Sequence, residues 1–456
     1  MRTSQANRSV AIDFPSAGSS NHAEVCESLN FKAEHCLDPV SRSKGLMMRQ
    51  RLENPWVRLV ACLAGFALLT GLSVAVARVV VTPGKVCPDF ICFWSAGQNL
   101  ASAHSPYDSE REVLIQHRLG WVKQVDGIGL YDFLPYFYPP WFGMLFIPLL
   151  PFGYATAKII WLVISIELLA IASYLLRKSI AGLPRAVPPI VVFTFSLTIF
   201  SVLLGQTTPL MFFLIVAIWR LLDEKWDWCA GSVMAWLTVK PQLTGILLLG
   251  LILWVARRGR SRVIQGFSIT MCALVLVSTL LVPTWPIEML RATTLTPLPT
   301  QYFPWYGTAW LLVLRSVGLH SWGLWAFYLA LAVPFLVWVL RKALDRTCSL
   351  QDLIAVSTLS AFFVAPYCQP YDFPVLLIPF FVLLGGRLTE KASTLLLLTI
   401  IIIPHLHIKF QQHLMLWWLP AKPAHQVTLF WVPILLTVVW LGMRSRSPSW
   451  SRRLWA

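Results

Sequence analysis

The stretch VRLVACLAGFALLTGLSVAVARVVV, Val57–Val81, and the one that soon follows it, CPDFICFWSAGQNLASAHSPYD, Cys87–Asp108, decide the fold between them. The first is apolar over about 25 residues, enough for a helix to cross the roughly 30 Å hydrocarbon core of a bilayer. It is too long, and its end too unlike a cleavage site, to be a secretory signal. The second then presents an Asp, several aromatics and a polar, turn-rich run directly beside that span. A passive loop needs none of this. A site open to lipid on one side and water on the other needs all of it.

The rest of the chain repeats the apolar half of that pattern. Of 456 residues, 57% are hydrophobic and only 13% are charged, against nearer half and a quarter in soluble domains. Mean hydropathy is +0.65, and apolar segments of spanning length recur almost to the end. The sequence therefore reads as an all-α polytopic membrane protein. Net charge is +16, yet the basic residues form short clusters between spans: Arg177, Lys178 and Arg185; Arg257, Arg258, Arg260 and Arg262; Arg341, Lys342 and Arg346; Arg387 and Lys391; Arg444, Arg446, Arg452 and Arg453. Such clusters mark cytoplasmic loops and leave no single basic patch for nucleic acid. The nine cysteines are scattered; Cys87 and Cys92 flank Asp89 closely enough for a local disulfide, but no spacing suggests a scaffold. No C-x-x-C or H-E-x-x-H motif occurs, so neither a metal site nor a cofactor is expected.

Residues 1–51 lack an apolar run and read as a disordered cytoplasmic tail, with 52–456 as the membrane domain. Met47 and Met48 offer a second start of translation. Arg49, Arg51 and Arg58 hold the N-terminus in the cytoplasm, so Thr82 to Pro140 lies outside. There, Ser109-x-x-Glu112 has the form of a capping box and Gly120 suits a helix end, which predicts a surface helix over 109–119. Asp108 is a further candidate cap. Tyr138–Phe152 is apolar but short and proline-bounded, as in a re-entrant or tilted segment. Further spans are expected at 155–176, 188–204, 208–222, 263–282, 321–340, 353–365, 373–384, 394–408 and 427–443. Between Asp223 and Arg257, two short apolar halves meet at Lys240-Pro241 and read as a broken hairpin. This gives about ten crossings plus broken segments, with both termini cytoplasmic. Gly205–Thr208, Thr284–Tyr306, Pro366–Asp372 and Phe410–His425 then join the first loop outside.

These loops carry a resemblance. DFICFWSAGQNLASAHSPYD and YPPWFGMLFIPLLPFGYATAKIIW, then LLGQTTPLMFFL (Leu203–Leu214), AGSVMAWLTVKPQLTGILLL (Ala230–Leu249) and APYCQPYDFPVLLIPF (Ala365–Phe380), resemble in order the motifs of glycosyltransferase family 87. The resemblance implies a GT-C-like bundle and a polyprenyl-phosphate-sugar donor. It also implies transfer of a hexose, mannose in the best-known α-1,2-mannosyltransferase members, to a glycan or glycolipid hydroxyl. It places the transfer on the outer face of the plasma (inner) membrane and implies a catalytic carboxylate in the first outer loop, where Asp89 stands at the matching position. Chemically this is coherent: a sugar hydroxyl is a weak nucleophile, and a carboxylate in hydrogen-bond reach can take its proton. A polyprenyl phosphate is already a good leaving group. The alternative for Asp89 is a helix cap or a solvated loop residue.

A leaving phosphate needs positive charge in a poorly hydrated place. Lys240, Arg78 and Lys409 are the candidates, with Lys240 foremost because an ionisable group inside a membrane segment is costly and usually functional. Its alternatives are a snorkelling lysine or an internal ion pair, with Glu167 the partner in view. Arg78 can equally be an interfacial anchor. For the sugar or acceptor, Gln206, Tyr371, Asp372, His405 and His407 are the candidates, against turn, helix-start and interface roles. Family members often carry a His in the last outer motif, where this chain has Gln369-Pro370-Tyr371-Asp372. The aromatics after Asp89 read as a platform at the membrane interface. A secondary transporter or a flippase for a lipid-linked or small polar substrate is the competing class. It would need two related halves with broken helices in matching positions, and no such repeat is visible.

Overall fold

Among the described residues, four runs are long and apolar enough to cross a bilayer as single helical stretches: Pro140–Ser179, Ser261–Leu281, Ser321–Leu344 and Glu390–Ile408. A fifth candidate, Val187–Thr194 with Ser196–Leu204, is bent by 60°, because Phe195 between its halves adopts an extended backbone. Shorter apolar helices run over Pro241–Arg257, Leu350–Val364, Pro370–Leu384 and Thr428–Met443. The structure, a computed structural model, describes residues 70–71, 87–121, 124–126, 129–131, 133–180, 183–294, 307–385, 388–418 and 428–444. All of them fall in one unit, Thr70–Ala456. The expected tail and nearly all of the first span lie outside the described residues.

In chain order the helices are α1 (Phe90–Ala101), α2 (Ser109–Arg118), α3 (Pro140–Met144), α4 (Gly153–Ser179), α5 (Val187–Thr194), α6 (Ser196–Leu204) and α7 (Thr208–Asp223). Then come α8 (Asp227–Ala235), α9 (Pro241–Arg257), α10 (Ser261–Leu281), α11 (Trp285–Thr294), α12 (Trp310–Ser316), α13 (Ser321–Leu344), α14 (Leu350–Val364), α15 (Leu377–Leu384), α16 (Glu390–Trp418) and α17 (Trp431–Arg444). Short 3₁₀ turns join several of them, at Ile147–Phe152, Trp236–Val239 and Pro370–Leu376. Among the described residues the architecture is helical but for one antiparallel hairpin, β1 (Gln124–Asp126) with β2 (Gly129–Tyr131), which the sequence pattern does not announce. Where the apolar pattern puts a span end at 408, α16 continues to Trp418.

Two features of the stretch from Cys87 to Tyr138 differ from expectation. Helix α2 begins at Ser109 and Asp108 caps it, as expected of that residue, its Oδ1 accepting from Arg111 N at 3.1 Å. Ser109-x-x-Glu112 is therefore not a capping box; Glu112 is turned inward, 1% exposed, toward Tyr136 N. Nor do Phe90, Phe93 and Trp94 form an interfacial platform, since all three are buried. Phe93 packs edge-on against Phe142 at 5.1 Å and against Trp161 at 6.2 Å. Such pairs contribute about 0.5–1.5 kcal/mol each beyond burial, and they bind α1 to α3 and α4. Cys87 and Cys92 are free thiols; Cys92 donates to Asp89 O at 3.0 Å and Cys87 to Val202 O at 3.8 Å, so no disulfide joins them.

Helices α9, α13 and α14 pack on one another, α7 packs on α4, and the 370–376 turn lies against both α6 and α7. That last contact brings two loops that are distant in sequence together. The tightest crossing is α8 on α10, where Gly231 meets Val263 O and Gly266 meets Trp228 O. Membrane helices gain little from apolar burial between themselves and depend on such close approach. A Cβ on Gly231 would lie 2.0 Å from Val263 O, and one on Gly266 would lie 2.4 Å from Trp228 O. Gly231→Ala and Gly266→Ala should therefore each lose about 1–3 kcal/mol or more, seen as a lower melting temperature of the solubilised protein. Gly245→Ala, on α9 with nothing within 4 Å, should be neutral or slightly stabilising. Equal melting for all three would contradict the packing.

Candidate active site

The site begins at a helix start that does not use its own carboxylate. Asp89 occupies the cap position of α1, yet its side chain makes no capping hydrogen bond. Instead, Asp89 Oδ2 accepts from Gln206 Nε2, and Oδ1 has no partner among the described residues. Backbone contacts fix this juxtaposition: Cys87 N donates to Leu203 O at 2.7 Å and Asp89 N to Leu204 O at 3.1 Å. The turn that presents Gln206 requires Gly205, which sits in the left-handed region at φ 77° with Cys87 packed against its open face. Trp161 Nε1 anchors the same turn by donating to Gly205 O at 2.8 Å. The sequence-distant pair Asp89–Gln206 is thus held from both sides.

Behind it lies a buried ion pair. Lys240 Nζ contacts Asp372 Oδ1, with side chains 2% and 0% exposed. Lys240 closes the 3₁₀ turn before Pro241, so the break in the hairpin is what frees its side chain to reach across. Asp372 Oδ1 also accepts from Thr208 Oγ1 at 2.9 Å, and its Oδ2 accepts from Gln369 N at 2.9 Å, which holds the start of the 370–376 turn. The Lys240 ammonium lies 4.8 Å from the centre of the Tyr371 ring, a cation–π contact. Glu167 is not the partner of Lys240: its Oε1 accepts from Thr70 Oγ1 at 2.9 Å.

Asp89, Tyr138, Tyr367 and Tyr371 are half-buried, while Gln206, Thr208, Lys240 and Asp372 are buried beneath them. The groups form one electrostatic neighbourhood. Loss of hydration pushes the Asp89 carboxyl up to about 6, against the Gln206 hydrogen bond and the Lys240 charge, which pull it down. Burial likewise pushes the Tyr138 and Tyr367 hydroxyls up, with Asp372 and Asp89 adding to it. Both therefore remain protonated donors. Gln369 Nε2 donates to Tyr367 OH at 2.7 Å. A half-exposed carboxylate with one free oxygen, ringed by phenols and backed by a buried cation, can accept a proton from a bound hydroxyl.

Five of the expected residues meet here: Asp89, Gln206, Lys240, Tyr371 and Asp372. Elsewhere, His405 is exposed on α16 and His407 shares a 2.8 Å hydrogen bond with Thr428 Oγ1. Arg78 and the Lys409 side chain lie outside what the structure describes. Tyr138, Thr208 and Tyr367 were not singled out from the sequence. Each stands inside one of the quoted motifs, and Thr208 and Tyr367 lie within a few residues of a polar group named there.

Helices of spanning length around a buried, carboxylate-centred polar cluster define a membrane protein with a built polar site. The family model for glycosyltransferase family 87 matches residues 136–368, just over half of the chain, and the chain belongs to that family. It is a membrane glycosyltransferase. The matched span contains Gln206, Thr208 and Lys240 and ends on either side short of Asp89 and Asp372. No curated protein and no solved structure gives a match.

Proposed function

We propose that this protein moves a hexose, mannose first among candidates, from a polyprenyl-phosphate-sugar donor to a glycan or glycolipid hydroxyl. The transfer takes place on the outer face of the plasma (inner) membrane. In this reading the shorter apolar helices bring the bundle to about ten crossings, with both termini cytoplasmic. The observation that carries the chemistry is Asp89: a carboxylate at a helix cap, diverted from capping, held at one oxygen by Gln206 and open at the other. The acceptor hydroxyl gives its proton to Asp89 Oδ1 as its oxygen bonds the anomeric carbon. The bond from that carbon to the phosphate oxygen breaks on the opposite face, its electron pair leaves with the polyprenyl phosphate, and configuration inverts. Tyr138, Tyr367 and Tyr371 would line the sugar subsite as donors and stacking faces. Lys240 would supply positive charge through its contact with Asp372 and Tyr371, and Arg78 and Lys409 remain further cations for the phosphate. No step calls for a metal or a cofactor.

The direct test is transfer by membranes containing the protein, assayed with a panel of polyprenyl-phosphate sugars and with nucleotide sugars. Product from one lipid-linked donor, of inverted anomeric configuration, supports the reading. Use of nucleotide sugars alone, or vesicle uptake without transfer, overturns it.

The pH profile gives a second measurement. Asp89 must be ionised to act, so transfer should fall on the acid side with a midpoint near pH 6. The Gln206 hydrogen bond lowers that midpoint. Gln206→Leu should therefore move the acid limb to higher pH as well as slow the reaction. An unmoved limb in a well-folded variant would show that Gln206 does not tune Asp89.

A further inference from the structure

Among the described residues, Lys158 is a cation without a counter-ion. It lies six residues into α4, is 6% exposed, and has the ring of Tyr154 at 5.5 Å as its cation contact. A lysine in an apolar helix ordinarily snorkels to water or pairs with an acid; this one is buried and has no acid partner among the described residues. Its neighbourhood is the site: the Cys87 thiol, two residues before Asp89, feels the charges of both Lys158 and Asp89. Tyr154 in turn stacks on Phe90, which follows Asp89, with ring centres 5.9 Å apart.

Below Lys158 runs an apolar groove of about 180 Å³ between α4 and the bent α5–α6 pair. Its α4 wall is Leu162, Ile166 and Leu169. With Lys158 these are residues i, i+4, i+8 and i+11, one stripe of an α-helix. Helical side chains lean toward the N-terminus, so Lys158 caps the stripe at the end where Asp89 sits. The other wall includes Ile199, Val202 and Leu203, and it ends at the Gly205-Gln206 turn that holds Asp89. An apolar groove between helices, with a buried cation one turn further along the same stripe of α4, matches an amphiphile with a phosphate head.

We infer that Lys158 and the α4–α6 groove bind the lipid phosphate of the donor, the ammonium taking the phosphate and the groove the first units of the isoprenoid chain. The assignment rests on the proposed transfer from a polyprenyl-phosphate donor and gives it a place in the fold. It also gives the two buried cations different roles, since Lys240 is committed to Asp372 and Lys158 is left for a ligand.

The test is binding to the full-length protein in lipid nanodiscs, with farnesyl monophosphate, farnesol and inorganic phosphate as probes. Lys158→Met should weaken farnesyl monophosphate by about 10- to 100-fold, the loss of a charge-assisted hydrogen bond. It should leave farnesol binding unchanged and keep or raise the melting temperature, because an unpaired buried charge has gone. Lys158→Arg should restore most of the phosphate affinity. Val202→Trp, which fills the groove, should weaken farnesol and farnesyl monophosphate together. Inorganic phosphate at equal concentration should displace neither. The inference falls if Lys158→Met binds farnesyl monophosphate like the wild type, if farnesol affinity drops in parallel, or if inorganic phosphate competes as well as the lipid. Phosphate-lipid binding through Lys158 without transfer from any donor would sink the transfer reading and leave this site standing. Transfer with an unchanged donor KM in Lys158→Met would do the reverse.

Discussion

Asp89→Asn should lower transfer by about 10²–10⁴-fold, the usual contribution of a positioned general base, while donor binding persists. Asn is the right probe because it keeps the volume and can still accept from Gln206 Nε2. What it loses is the ability to take a proton. The same substitution should make the protein more stable at neutral pH. The Asp89 carboxyl is pushed up to about 6 from an ordinary value of 3.8, so the folded state prefers it protonated. Its stabilising contribution is complete below pH 3.8 and is lost as pH rises through about 6. Melting temperatures of wild type and Asp89→Asn should then converge below pH 3.8, separate in favour of the variant from there to about pH 6, and stay apart above it. Asp108→Asn is the control: Asn caps helices about as well as Asp, so α2 and transfer should both survive. Near-normal transfer by Asp89→Asn would remove the base from the mechanism and favour the transporter class.

The helices were legible because bilayer thickness imposes a length on each apolar run. Ala155–Leu176 was expected where α4 spans Gly153–Ser179, and Thr208–Leu222 where α7 spans Thr208–Asp223. The site residues were legible for a related reason: in so apolar a chain, Asp89, Lys240 and Asp372 stand out as costly groups. Which of them touch was not legible. Lys240 and Asp372 are 132 positions apart, and nothing in either motif names the other; Glu167 was as reasonable a partner on paper. The fate of Phe90, Phe93 and Trp94 was equally hidden. Interfacial and buried aromatics look alike in sequence, and only the packing of α1 on α3 and α4 separates them. Lys158 escaped because it reads as one lysine in a quoted motif. Its significance lies in the absence of a counter-charge among the described residues, a property of three dimensions alone.

The Lys240–Asp372 pair should produce the largest change in stability, and a cycle of variants can tell structure from chemistry. Removing one partner of a buried pair leaves the other charge uncompensated, at a cost of about 3–5 kcal/mol. Lys240→Met should therefore unfold at markedly lower temperature, because Asp372 is fully buried and its remaining donors, Thr208 Oγ1 and Gln369 N, are neutral. Asp372→Asn should do comparable harm by stranding the Lys240 ammonium against the Tyr371 ring. Lys240→Met combined with Asp372→Asn should melt above either single variant. It strands no charge, and the Asn oxygen can still accept from Thr208. Simple additivity of the two losses would mean that the pair is not coupled in the folded protein. The double variant then decides the role of the lysine. If the charge of Lys240 helps to hold the donor, the folded double variant should transfer slowly with a raised donor KM and an unchanged acceptor KM. If it transfers like the wild type, the pair is a strut between α9 and the 370–376 turn, and the phosphate is met by other cations.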